Sequence, residues 1–425
     1  MSVSRGSNLV VNPHFDGPGD PTGWRRVMPR PELALDFGVT GAAGCRRLTI
    51  SATGDPHAFG CWQGEVDLED GQWYLARVHV RARDIEDHSL SVLAQVAEHF
   101  LVPKSDWSGD TVLEQTFLHR AENGNRIELY MRAAERGQLE WFAPSVELIP
   151  KPVHRIARAA TVRFGETRTP LTLDDQLIRI SEKLDQAGAL KPDVVCLPEF
   201  CSIIGVPQEQ YGSYAEVAVT LPDAPLCKVL SKKARQHNMY VLCGIIERDG
   251  CHIFNTAVLL GRDGACVGCY RKTHLTFGEL RDGISCGEDY PVFDVDFGRI
   301  AVHICYDEWF PEVARLYAHK GAEILFLPVA GGKPITWRTR ALDNGIYFVS
   351  SAIVPPSMII DSSGAIIAET HGDGVVFADL NLDTRQINWY GDPTLIYGMP
   401  CIVPQMRNVV NGRLTDSLAC ELRKR

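Results

Sequence analysis

No stretch of this 425-residue chain is apolar for long enough to cross a bilayer. The opening residues Met1-Ser2-Val3-Ser4-Arg5-Gly6-Ser7-Asn8 lack the apolar core of a secretory signal. A cytoplasmic protein with no membrane partner is therefore expected. An excess of positive charge is missing too: 53 acidic residues against 43 Lys and Arg leave a net charge of −10. That balance argues against nucleic acid or anionic lipid as the main partner. There is no internal repeat and no low-complexity tract. The 13 cysteines form no framework, and their odd, scattered occurrence fits reduced thiols in a cytosol. Cys266 and Cys269 make a CxxC on a strand, where a spacing of three sends the side chains to opposite faces. No second CxxC or His pair completes four ligands, so neither a metal nor an organic cofactor is expected.

What is present reads as a globular chain, 45% hydrophobic and 23% charged. Its length exceeds one typical domain. The short, polar Pro150-Lys151-Pro152 can continue neither helix nor strand, and it divides the chain into 1–150 and 151–425. In the first part Trp73 to Ala82 alternates, with Tyr74, Ala76, Val78, Val80 and Ala82 on one face. Arg126 to Arg132 alternates as well, and Gly/Asp/Pro turns separate the runs, which predicts an all-β sandwich. Trp24, Trp62, Trp73, Trp107 and Trp141 could form a sugar platform, but aromatics filling a small sandwich are the favoured reading.

The second part alternates helix and strand, an α/β pattern. Leu177, Ile180, Leu184 and Ala187 recur at helical spacing before the buried strand Asp193 to Leu197. Pro198-Glu199 puts a carboxylate at that strand's C-terminal end. The runs Phe254–Leu260 and Ala265–Tyr270 flank Asp263-Gly264, a hairpin signal, and deliver Arg271-Lys272. Ile300 to Ile304 forms another buried strand ending at Cys305, and Pro311 opens the next helix. Between a strand end and a helix start, N–H groups and the helix dipole favour a thiolate. Open α/β sheets gather their chemistry outside the carboxyl ends of strands, so Glu199 and Cys305 can converge there, joined by Lys272.

Three blocks now resemble one family. Leu197-Pro198-Glu199-Phe200, Tyr270-Arg271-Lys272-Thr273-His274-Leu275 and Ile304-Cys305-Tyr306-Asp307 are similar, in order and interval, to the signatures of the nitrilase superfamily of carbon–nitrogen hydrolases. The resemblance spans roughly Val153 to Asn388. It implies a four-layer αββα sandwich, commonly paired with a second copy as a homodimer or higher homo-oligomer. It also implies a Glu199–Lys272–Cys305 triad, with Glu279, seven residues after the lysine, as a fourth member. In relatives, a tail such as that after Asn388 often packs on a partner subunit. The N-terminal part, through Asn8 to Pro13, Thr22-Gly23-Trp24 and Trp141 to Leu148, more loosely resembles a galactose-binding-like (carbohydrate-binding-module type) jelly roll.

The resemblance implies roles. Cys305 attacks the substrate carbon and forms a thioester, and Glu199 is the general base. Lys272 neutralises the oxyanion together with the Tyr306 N–H. Glu279 orients the substrate nitrogen or holds Lys272 and Glu199 in register. Cys305-Tyr306-Asp307-Glu308-Trp309-Phe310-Pro311-Glu312 is similar to aliphatic and N-carbamoyl amidases, which favours a small amide or ureido substrate over a nitrile. Tyr306, Trp309 and His303 are the expected substrate-side residues, His303 on the same strand face as Cys305. His303, Val329-Ala330-Gly331-Gly332 and Ser350-Ser351-Ala352 depart from the usual pattern. A binding protein on an inactive scaffold and an acyl- or amido-transfer enzyme are the competing classes.

Overall fold

A computed structural model describes residues 8–383 except 105–106, 108, 166 and 168. The first seven residues and the tail after Asn388 lie outside it. The chain divides into two compact units, one ending at Val153 and the next beginning at His154.

The first unit is built of antiparallel strands. One sheet runs Trp24–Val27, Phe59–Glu65, Arg126–Arg132, Val92–Val96 and His99–Phe100. The other runs Asp36–Thr40, Arg47–Ser51, Gln138–Ile149, Trp73–Arg83, Asp110–Leu118 and Val102–Pro103. Tyr74, Ala76, Val78 and Val80 are buried, and one apolar cluster draws on both sheets. Trp24, Trp62 and Trp141 belong to that cluster. Trp24 meets Phe15 edge-on at 5.0 Å, and the Trp62 indole donates to the Thr49 carbonyl at 3.1 Å. These three rings form core, not an exposed platform.

The second unit contains two six-stranded mixed sheets. In the first, Ile156–Arg163, Val194–Cys196 and Tyr240–Asp249 run parallel. His252–Leu260 and Cys266–Arg271 continue this sheet antiparallel on one side, and Gly374–Asn381 closes the other. In the second, Gly298–Val302, Ile324–Val329 and Tyr347–Ala352 run parallel, again with antiparallel strands outside them. The period of two explains the layering. Val194, Cys196, Ile300, Val302, Ile324 and Phe326 share one cluster fed by both sheets. Their alternates go outward. Val195 and Leu197 pack with Ile180, Leu184 and Leu230 of the helices Leu173–Ala189 and Pro225–His237. Ala301, Leu325 and Leu327 pack with Val313, Tyr317 and Trp337 of the helices Pro311–His319 and Pro334–Asn344.

One expectation fails on the hairpin. The ladder slips between Leu259 and Leu260, so that Val258 pairs with Cys269 and Leu260 with Cys266. The extra residue, Val267, is a bulge that returns both cysteines to one face. Among the described residues no group of three or more His, Cys, Asp or Glu side chains could hold a metal ion.

Candidate active site

Glu199 and Cys305 each lie three residues beyond the end of a parallel strand, Val194–Cys196 and Gly298–Val302. Lys272 directly follows Cys266–Arg271. These loops carry backbone strain: Phe200 has φ 51° and Cys305 φ 44°, a left-handed conformation costly for a side-chain-bearing residue. Gly244 lies beneath the first loop. A Cβ there would sit 2.6 Å from the Glu199 Cα and 2.7 Å from the Pro198 oxygen.

The Glu199 carboxylate is 1% exposed and fully engaged. Its Oε1 accepts from the Asn255 amide at 2.7 Å and from Lys272 Nζ at 3.1 Å. Its Oε2 accepts from the Ala330 N–H at 2.8 Å, which the end of the Ile324–Val329 strand supplies. Lys272 Nζ also meets both Glu279 oxygens at 2.9 Å. Glu279 is fixed by its own short helix, Phe277–Arg281, through a capping box with Thr276: Oε2 accepts the Thr276 N–H at 2.8 Å. The loop residue is thus buried.

Charges follow from this geometry. Burial works against the Lys272 ammonium, but Glu199, Cys305 and Glu279 outweigh it and drive its pKa upward, so the side chain is a cation. Burial raises the Glu279 carboxyl, and Lys272, Asn255 and the Thr276 N–H outweigh that to leave it lowered. Burial, and then Glu199, push the Cys305 thiol far up, against a smaller pull from Lys272 and the Ala330 N–H. The expected thiolate is therefore not the resting form. Burial, which the sequence does not display, overrides the strand-to-helix setting, so the thiol needs a base, and Glu199 lies against it.

The nucleophile turn is pinned from the lysine side. Buried Asp307 accepts from the Ile304 N–H at 2.8 Å, the Tyr270 hydroxyl at 2.7 Å and the His274 N–H at 3.0 Å. Tyr306 and Trp309 project from the turn, 38% and 49% exposed. His303 is wholly buried, edge-on to Phe348 at 5.5 Å, and neither ring nitrogen has a hydrogen-bond partner, while Asp307 and His274 are among the charges that act on it. Asn255 is the participant that motif reading missed; Asp307 and Ala330 stood in quoted segments without an assigned role. An Asn inside the apolar run Phe254–Leu260 was the available signal, because strands disfavour it. A cavity of about 660 Å3 borders this region along Arg271, Leu280 and Ile284, but Glu199, Lys272 and Cys305 do not line it. Chemistry, not volume, marks the site.

Comparison with known proteins matches residues 158–387 to the family described as carbon-nitrogen hydrolase. The citrullinase of Francisella tularensis subsp. tularensis is 32% identical over 167 residues, 37% of this chain and 57% of that protein. The omega-amidase NIT2 of Danio rerio is 31% identical over 244 residues, 50% of this chain and 86% of that protein. Among solved structures, Saccharomyces cerevisiae Nit3, described as a member of branch 10 of the nitrilase superfamily, is 24% identical with a TM-score of 0.48. That superposition covers 64% of this chain and 99% of Nit3.

Proposed function

The chain belongs to the carbon–nitrogen hydrolase family, whose members act on C–N bonds other than peptide bonds, and from that premise we propose a thiol amidohydrolase. Its substrate is a small carboxamide or N-carbamoyl (ureido) compound, and the product leaves as ammonia or an amine. One observation carries the reading: a buried lysine joined to two carboxylates, one of which lies against Cys305, at a strand-to-turn junction with left-handed backbone. A citrullinase and omega-amidases among the relatives support the ureido and amide classes.

The steps balance with water as the sole co-reactant. Glu199 takes the Cys305 proton as sulfur attacks the carbonyl carbon, and Lys272 stabilises the oxyanion that forms. The C–N bond breaks as Glu199 returns the proton to nitrogen, leaving a thioester on Cys305. Glu199 then deprotonates water, which releases the acid and restores the thiol. Glu279 keeps Lys272 charged and in place. Tyr306 and Trp309, exposed beside the nucleophile, contact the remainder of the substrate. The galactose-binding-like jelly roll is proposed for the N-terminal unit on its two antiparallel sheets.

The test is ammonia or amine release from a panel of amides, ureido acids and nitriles, with mass spectrometry on a slow substrate. A covalent adduct is expected on the peptide carrying Cys305. Turnover of nitriles alone, or an adduct on another of the 13 cysteines, overturns the reading.

A further inference from the structure

Asn255 is wholly buried in the His252–Leu260 strand and touches all three charged members of the site. Its Nδ2 donates to Glu199 Oε1 and to Glu279 Oε1, each at 2.7 Å. Its backbone carbonyl accepts the backbone N–H of Lys272 at 2.8 Å. Both side-chain partners are carboxylates, which only accept, so the amide nitrogen must face them. The Oδ1 is thereby turned away, buried and without a partner. An orphaned acceptor of this kind costs on the order of 1–3 kcal/mol, a loss an apolar residue would avoid. The strand tolerates it at the one position where the amide meets two acids.

We propose that Asn255 is a positioning residue of the reaction: its single amide ties the Glu199 carboxylate to the Glu279 carboxylate and so fixes Glu199 for proton transfer with Cys305. The inference rests on the reading of Glu199 as the base. Two like charges share one lysine here, and Lys272 alone cannot orient both, because its ammonium rotates about the end of a flexible stem. The planar amide supplies two hydrogens at a fixed angle, one for each acid. The other titratable groups acting on the pair are Cys305, Tyr214 and Glu308. Among the described residues, Asn255 and Lys272 are the ones whose side chains hydrogen-bond both carboxylates. Without Asn255 the pair loses two of its donors, and one carboxylate takes up a proton more readily.

Iodoacetamide tests this without a known substrate. Its rate of alkylation at Cys305, followed by peptide mass spectrometry from about pH 5 to about pH 10, reports the thiol together with its base. In Asn255→Ala the rising limb should move to higher pH by about one unit, and further in Asn255→Asp, which adds a third carboxylate. Asn255→Ser keeps one donor and should fall between, and it serves if the alanine variant does not fold. A folded Asn255→Ala or Asn255→Ser protein with the wild-type profile overturns the proposal, whatever its turnover. Glu199→Gln separates the two ideas. A changed profile there with none in the Asn255 variants removes only this inference, whereas no change in Glu199→Gln removes the base reading beneath it.

Discussion

The two units differ in what their buried polar groups do. The N-terminal unit centres on an apolar and aromatic cluster, and the polar side chains it buries, Gln63 and Glu140 among them, pair with neighbouring strands. Arg25, Gln63, Glu128 and Gln95 stand in cross-strand register there, linked side chain to side chain. The second unit buries Glu199, Lys272, Glu279, Asn255, Asp307, Glu308 and His303 at 0–7% exposure. Burying charge is costly unless each group is paired and hydrogen-bonded. The charged groups among them meet that condition, Glu308 through the Trp337 indole and the Lys333 N–H, while the His303 ring nitrogens and the Asn255 Oδ1 stay without a hydrogen-bond partner. The lesson is that function is read where a fold accepts such a cost: the first unit is organised for packing, the second around a reacting group.

If that contrast is right, small changes in the second unit should cost rate, and large ones in the first should cost stability. Cys305→Ala is the sharpest case. Turnover should fall by at least about a thousandfold, because the covalent route is gone. A thermal melt should stay close to wild type, and residual hydrolysis above background would contradict the assignment. Glu279→Gln keeps shape and removes one partner of Lys272; kcat should drop on the order of a hundredfold. Steady-state kinetics beside circular dichroism would show whether the loss is chemical. Trp62→Ala attacks the other unit, where opening a cavity at a fully buried ring should cost about 3–5 kcal/mol, measured by urea unfolding. Its peptides should lose hydrogen-exchange protection while those carrying Cys305 do not.

The smallest effect is confined to acid. Burial lowers the His303 pKa to about 4, with Asp307 working the other way, so the folded state refuses a proton that the unfolded chain accepts below about 6.5. The unfolded form binds more protons, and stability therefore falls as pH drops from about 6.5 towards 4, by on the order of 3 kcal/mol in all. His303→Leu should remove that loss. Its unfolding free energy should change less than wild type between pH 8 and pH 4.5, and an equal change in both would refute the account.

Legibility divided along physical lines. Glu199, Lys272 and Cys305 could be found because the ends of strands are visible in hydrophobic periodicity. Glu279 came only from the resemblance, since nothing local announces that a capping-box acid in a short helix is buried. The bulge at Val267 is a single-residue event, and it inverted the prediction about which faces the cysteine pair occupies. The thiolate expectation failed for a different reason. Dielectric surroundings belong to the assembled sheets, and no local stretch of sequence contains them. The amphipathic helix through Leu177, Ile180, Leu184 and Ala187 was fully legible, because its pattern and its packing are the same information.

Gly244 carries a consequence for how this site can change over time. The hydrogen beneath Glu199 has no conservative replacement, because every other amino acid adds at least one carbon at a place already 2.6 Å from backbone. A charged position around Cys305 can at least be swapped for an amide or acid of the same shape. Gly244 allows no such swap. Any side chain there must push the Glu199 loop away as a whole, so the position couples the packing of one strand to the placement of the base.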